Sequence, residues 1–157
     1  MTEITLPLRG GCQCGQLRYE IKEAPSTLYC CHCTECQAQT ASAFGTSIRV
    51  AGTAVSLSGA TGKYVRDGGK PTEVECLFCP ECGTRVLHRR DAVAANVSIK
   101  GGSLDEGHGL LPIGHIWTGS KQAWVTFPEN SLNYSSQPDD GYAALIERFA
   151  QEFKFVR

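Results

Sequence analysis

The chain has 157 residues, enough for one domain with its own core, and its formal net charge of −1 with scattered Lys and Arg leaves no footprint for nucleic acid. No run approaches the roughly 20 apolar residues that span a bilayer, and Met1-Thr2-Glu3-Ile4 lacks a basic stretch leading into an apolar one, so a soluble, cytoplasmic protein is expected. Nine cysteines, an odd number, sit in CxC and CxxC groups too tight to staple distant segments, which favours metal-bound thiolates in a reducing compartment over a disulfide scaffold.

In chain order, residues 1–9 alternate weakly (Ile4, Leu6, Leu8) around Pro7 and read as an edge strand or an ordered tail. Cysteines two apart on a strand point to opposite faces. Cys12 and Cys14 therefore need a sharp turn to share an ion, and the flanking glycines permit one. Residues 17–21 alternate as a half-buried strand, ended by Ala24-Pro25-Ser26. The segment 30–36 then packs Cys30, Cys31, His32, Cys33 and Cys36 together, a density of soft ligands that reads as a metal site. Residues 37–44 suit a short helical turn before Gly45.

Short strands follow at 48–50, 54–57, 63–65 and 72–78, separated by glycines and by Asp67-Gly68-Gly69. Beyond the CxxC at Cys79 and Cys82 more are expected at 84–88, 93–99, 115–117 and 124–127. The tail differs: an acidic cap at Asp139 or Asp140 precedes Leu145, Ile146, Phe149, Phe153 and Val156 at intervals of three or four. This stripe predicts an amphipathic helix over 142–155, docked on the sheet or on a second copy of the chain.

The cysteines divide in two ways. Cys33 and Cys36 with Cys79 and Cys82 would make a plain zinc ribbon. Cys12 and Cys14 with Cys79 and Cys82 would close one four-thiolate site and leave Cys31, Cys33 and Cys36 as an open three-thiolate site. Spacing alone leaves both standing.

Taken together, Gly11-Cys12-x-Cys14-Gly15, Cys31-His32-Cys33-x-x-Cys36, Phe78-Cys79-x-x-Cys82-Gly83-Thr84, Gly102-Ser103-Leu104-Asp105, His115-Ile116-Trp117 and Lys121-x-x-Trp124 resemble the glutathione-dependent formaldehyde-activating enzyme family, also called the centromere protein V family. The matches run in the family's order over about residues 10–128.

The resemblance implies a mainly β, antiparallel, tent-like fold pinned by zinc knuckles, with the helical tail at about 139–156 added to a single domain over 1–157. It implies two zinc ions per chain, a structural one on Cys12, Cys14, Cys79 and Cys82 and a catalytic one on Cys31, Cys33 and Cys36. The activity implied is that of a carbon–sulfur lyase adding a small thiol, glutathione in the founding case, to formaldehyde or a related electrophile. The partners are then small-molecule thiol and aldehyde substrates, with no nucleic acid and no membrane. The rival reading is a non-catalytic zinc-stabilised module whose central site is closed by Cys30 or His32, or a thiol redox sensor.

Gln37 and Ala41 stand where the family usually has a basic residue and a glycine, and Cys30 and Cys76 are thiols outside its pattern, read as buried bystanders. His32 is expected beside the metal as a neighbour or at the surface, and His115 in a pocket wall or satisfied within a strand. Asp105 reads as a turn residue, Trp117 and Trp124 as core or sheet-face residues, and Lys100 and Lys121 as solvated or as counter-charges to the thiolates. His88 and His108 suggest no role.

Overall fold

The computed structural model describes residues 1–67, 73–90, 95–106 and 109–157. His108, the glycines of the 67–69 turn and the first residues of the strands expected at 72–78 and 93–99 lie outside them.

The fold is mainly β. In chain order the strands are β1 (Thr2–Thr5), β2 (Leu8–Gly11), β3 (Arg18–Ile21), β4 (Thr27–Cys31), β5 (Gly45–Ala51), β6 (Val55–Ser58), β7 (Gly62–Asp67), β8 (Glu73–Phe78), β9 (Arg85–Arg89), β10 (Asn96–Lys100), β11 (Gly114–Ile116), β12 (Leu132–Asn133) and β13 (Phe153–Val156), with helices α1 (Thr34–Thr40) and α2 (Ala143–Glu152). Eight strands form one sheet in the order β12-β11-β4-β5-β10-β9-β8-β7, three form a second as β2-β3-β6, and β1 pairs with β13.

Period-two alternation assigns the two faces of the large sheet. Leu28 lies opposite Ile48, Ile48 opposite Ile99, Ile99 opposite Leu87 and Leu87 opposite Leu77, an apolar row across five strands. All of these side chains are buried. The residues between them face the other way: Tyr29, Ser47 and Lys100 form one row and Arg49, Ser98, His88 and Cys76 the next. Strand β4 is buried throughout because both faces are used, Leu28 and Cys30 toward the core and Tyr29 and Cys31 toward the polar row.

Two expected elements differ. The apolar stripe at 142–155 is helical only to Glu152, and Phe153–Val156 extends as a strand beside Thr2–Thr5. Aromatic and β-branched residues there satisfy a strand's preferences as well as a helical stripe, and the unpaired β1 decides between them. Residues 124–127 form no strand: Trp124 is 72% exposed in a turn while Val125 and Phe127 point inward. Helix α1 begins earlier than expected, with Cys33 as its N-cap.

Ala41 ends α1 in the left-handed conformation (φ 48°), its N–H returning to the carbonyls of Ala38 and Gln37. A Cβ there crowds its own backbone, which is the physical reason a glycine suits this position. Ala41→Gly is expected to raise stability by about 0.5–1 kcal/mol, measured by urea denaturation, whereas glycine at an ordinary helical site would lower it.

A candidate metal centre in a cationic cleft

The four sulfurs of Cys12, Cys14, Cys79 and Cys82 lie within 4.8 Å of one another, and so, separately, do those of Cys31, Cys33 and Cys36. The first group joins the β2–β3 turn to the β8–β9 turn. Gly15 (φ 81°) and Gly83 (φ 75°) reverse the chain after the second cysteine of each pair, and each N–H returns to the first cysteine's carbonyl, at 3.0 Å to Cys12 and 2.9 Å to Cys79. Backbone and hydroxyl donors reach the sulfurs: Leu17 N–H lies 3.2 Å from Cys12 Sγ and the Thr84 hydroxyl 3.3 Å from Cys82 Sγ. The Thr84 contacts hold the Cys82 thiol down at about 6. Sulfur separations of 3.4 Å (Cys12–Cys14) and 3.6 Å (Cys14–Cys79) are near the roughly 3.8 Å that four sulfurs about 2.3 Å from a tetrahedral zinc would show.

The second group comes from one short segment. Cys31 ends β4, Cys33 caps α1, its Sγ accepting from Cys36 N–H at 3.4 Å, and Cys36 sits in the first helical turn. Helix-terminal N–H groups and the macrodipole favour thiolate at such a place. Hydrogen bonds from Cys31 and Cys33 pull the Cys36 thiol down, helped by the charge of Lys100, while the bonds of Cys31 with Cys33 and Cys36 push its own thiol up. Three thiols sharing protons in this way are a donor set that a soft divalent cation fits. Among the described residues no further histidine, cysteine or carboxylate joins this group.

Cys31, Cys33 and Cys36 open onto a cleft of about 1130 Å³ over the polar face of the large sheet. Among the described residues Arg49, Arg66, Arg89, Arg90 and Lys100 line it with one carboxylate, Glu35. Arg89 is engaged by Glu75 at 2.8 Å, and Arg49 stacks over the Tyr142 ring. Lys100 is buried, which lowers its pKa, while Cys36 and Cys31 act in the opposite sense. His88 stands beside it; burial first, then the charges of Lys100, Arg66 and Arg85, push its imidazole down to about 2. Neither residue's burial was visible in the sequence. In the alternation each faces away from its core-facing neighbour, Leu87 or Ile99, which by itself reads as a solvated face.

His32 is fully buried and not at the surface. Its Nε2 lies 2.9 Å from Nδ1 of His115 on the face of β4 opposite Cys31, in a nest with Phe44 and Phe127. The pair does not line the cleft. Gln37 also points away from it, donating to the carbonyls of His32 and Ser120 and accepting from Gln122, so its amide clasps the 117–122 loop. Lys121 donates to the Val125 carbonyl. Cys30 is buried, its thiol raised to about 12 by burial, and Cys76 is buried with Sγ 3.7 Å from the Val74 carbonyl; neither belongs to a sulfur group. Asp105 ion-pairs with Arg18 after the turn. Trp117 lines the cleft mouth, half exposed, and Trp124 is on the outside; neither is a core residue.

Burial and the facing His32 push His115 down to about 4. The folded state keeps it neutral while the unfolded chain takes up a proton near pH 6.5, so stability is full above that value and falls as the pH drops toward 4. His115→Gln is expected to reduce the slope of stability against pH over this window by up to about 1.4 kcal/mol per pH unit, read from urea midpoints at each pH.

Among solved structures, a crystal structure of a Rhodobacter sphaeroides protein is 20% identical over 66% of this chain and 91% of its own, with a TM-score of 0.49. A search of curated proteins gave no match. Residues 7–120, which hold both sulfur groups, match the model of the family described as glutathione-dependent formaldehyde-activating enzyme, and the chain belongs to that family.

Proposed function

We propose that the protein is a zinc-dependent carbon–sulfur lyase-type enzyme that adds a small thiol to formaldehyde or a closely related aldehyde. In this reading Cys31, Cys33 and Cys36 hold the reacting zinc, and Cys12, Cys14, Cys79 and Cys82 hold a structural one. The observation that carries it is a three-thiol group open to a cleft, with no fourth side-chain ligand among the described residues. Bound there, zinc supplies an open coordination position at which a thiol gives up its proton at neutral pH.

The protein's own groups do the remainder. Three cysteines fixed by a strand end and a helix cap require little rearrangement to act as ligands. Lys100 balances the excess negative charge of three thiolates. Tyr29, Tyr142 and Arg49 line the same cleft, and the body of a peptide-sized thiol would lie against them. In the reaction a sulfur–carbon bond forms, the carbonyl π bond breaks, and the proton lost from sulfur is made good on oxygen. Thiols add readily to formaldehyde unaided, so the site's contribution is positioning and a thiolate.

The test is metal analysis joined to nuclear magnetic resonance of ¹³C-formaldehyde with glutathione. Two zinc per chain and accelerated appearance of the hydroxymethyl thioether support the reading. One zinc per chain, or an uncatalysed rate, supports the non-catalytic module instead.

A further inference from the structure

We propose that His88, Arg66 and Lys100 form a carboxylate-binding site on the floor of the cleft, beside the three-thiol group, that anchors one of the two reactants; the identity of those reactants rests on the function proposed above. His88 is 7% exposed, lines the cleft, and its Nε2 has no hydrogen-bond partner among the described residues. An imidazole nitrogen buried without a partner costs free energy that a ligand would recover. His88 lies directly opposite Ser98, so Lys100, two residues along β10 on the same face, is its diagonal neighbour. Arg66 on β7 lies opposite Val74, which shares a face of β8 with Cys76, the residue opposite His88, so Arg66 and His88 line the cleft from one face of the sheet; no carboxylate pairs with Arg66 among the described residues.

Charge decides what the site takes. Three thiolates around a divalent ion leave one negative charge, which Lys100 balances. Arg66 and the His88 nitrogen remain, a cation and a neutral imidazole on one face of the cleft floor, a combination that suits an anionic ligand with two oxygens such as a carboxylate. Formaldehyde, neutral, would leave the Arg66 charge unmatched. The carboxylate therefore belongs to the thiol, as in glutathione, or to an oxo-acid electrophile such as glyoxylate.

The test uses the full-length, metal-loaded protein. With ¹⁵N-labelled histidine, malonate is expected to shift the His88 Nε2 resonance saturably, and Arg66→Met to abolish that response. In kinetics, His88→Leu and Arg66→Met are each expected to raise KM for the carboxylate-bearing reactant about 10- to 100-fold, with kcat and zinc content close to wild type. Esterifying the responsible carboxylate removes the difference between wild type and variants: glutathione diethyl ester identifies the thiol, methyl glyoxylate the electrophile. The proposal is overturned if malonate leaves His88 unmoved, or if both variants keep every KM within about twofold of wild type while binding two zinc. Should the wild type join no thiol to any aldehyde, the proposed reaction fails and the malonate titration still decides the site.

Discussion

Cys33→Ser is expected to abolish thiol–aldehyde addition while leaving the chain folded. Two roles of Cys33 come apart under this change. Its sulfur is one of three soft donors opening on the cleft, and a serine oxygen is a poor substitute for thiolate toward zinc. Its position is the N-cap of α1, where Sγ accepts from Cys36 N–H, and serine is among the best residues for that task. Losing even a group that supports a metal ligand costs about 10- to 100-fold in affinity or activity, so losing the ligand itself should cost at least about 100-fold. Zinc content should fall from two to one per chain, with an unchanged circular dichroism spectrum and melting point. Retained activity with one zinc would sink the proposed mechanism.

Cys79→Ser should do the opposite and unfold the protein. Cys79 is fully buried where the β8–β9 turn meets the β2–β3 turn. An ordinary buried hydrogen-bond loss would cost about 1–3 kcal/mol. Losing a structural metal forfeits far more, since binding free energy at such sites is folding free energy, and about 5 kcal/mol is enough to exhaust the stability of many domains. We expect loss of cooperative thermal unfolding for the variant, and the same for the wild type stripped by a strong chelator. A melting point lowered by only a few degrees, with zinc retained, would show that the four-thiol group is not a structural metal site.

What was legible in the sequence was local. CxC and CxxC spacings announce metal chemistry because ligands must be neighbours, and strands announce themselves because one face is buried and the other is not. Whether Cys79 and Cys82 join Cys12 and Cys14 or Cys33 and Cys36 depends on which turns fold side by side, and spacing carries no such information. The same limit hid His88 and Lys100. Alternation shows that they share a face with their neighbours but not that this face floors a cleft. Phe153 and Val156 suited a helical stripe as well as a strand, and the choice was made by β1, more than a hundred residues away. The apolar run at 124–127 lacked a neighbouring strand edge and became a loop. Gln37 was legible as a departure from the family pattern, but its use as a clasp on the 117–122 loop required that loop to be in place.

The two sulfur groups also differ in when they can assemble. Cys31, Cys33 and Cys36 lie within one turn of chain, so their ligand set is nearly complete before any tertiary structure exists, and a short peptide over 30–40 should already capture a soft cation. Cys14 and Cys79 are 65 residues apart, and bringing them together requires closing a loop at an entropic cost of about 3–4 kcal/mol. That group can fill only once both sheets have formed and docked. With metal bound at both groups as proposed, one ion would enter a nascent chain, whereas the other would lock a finished one.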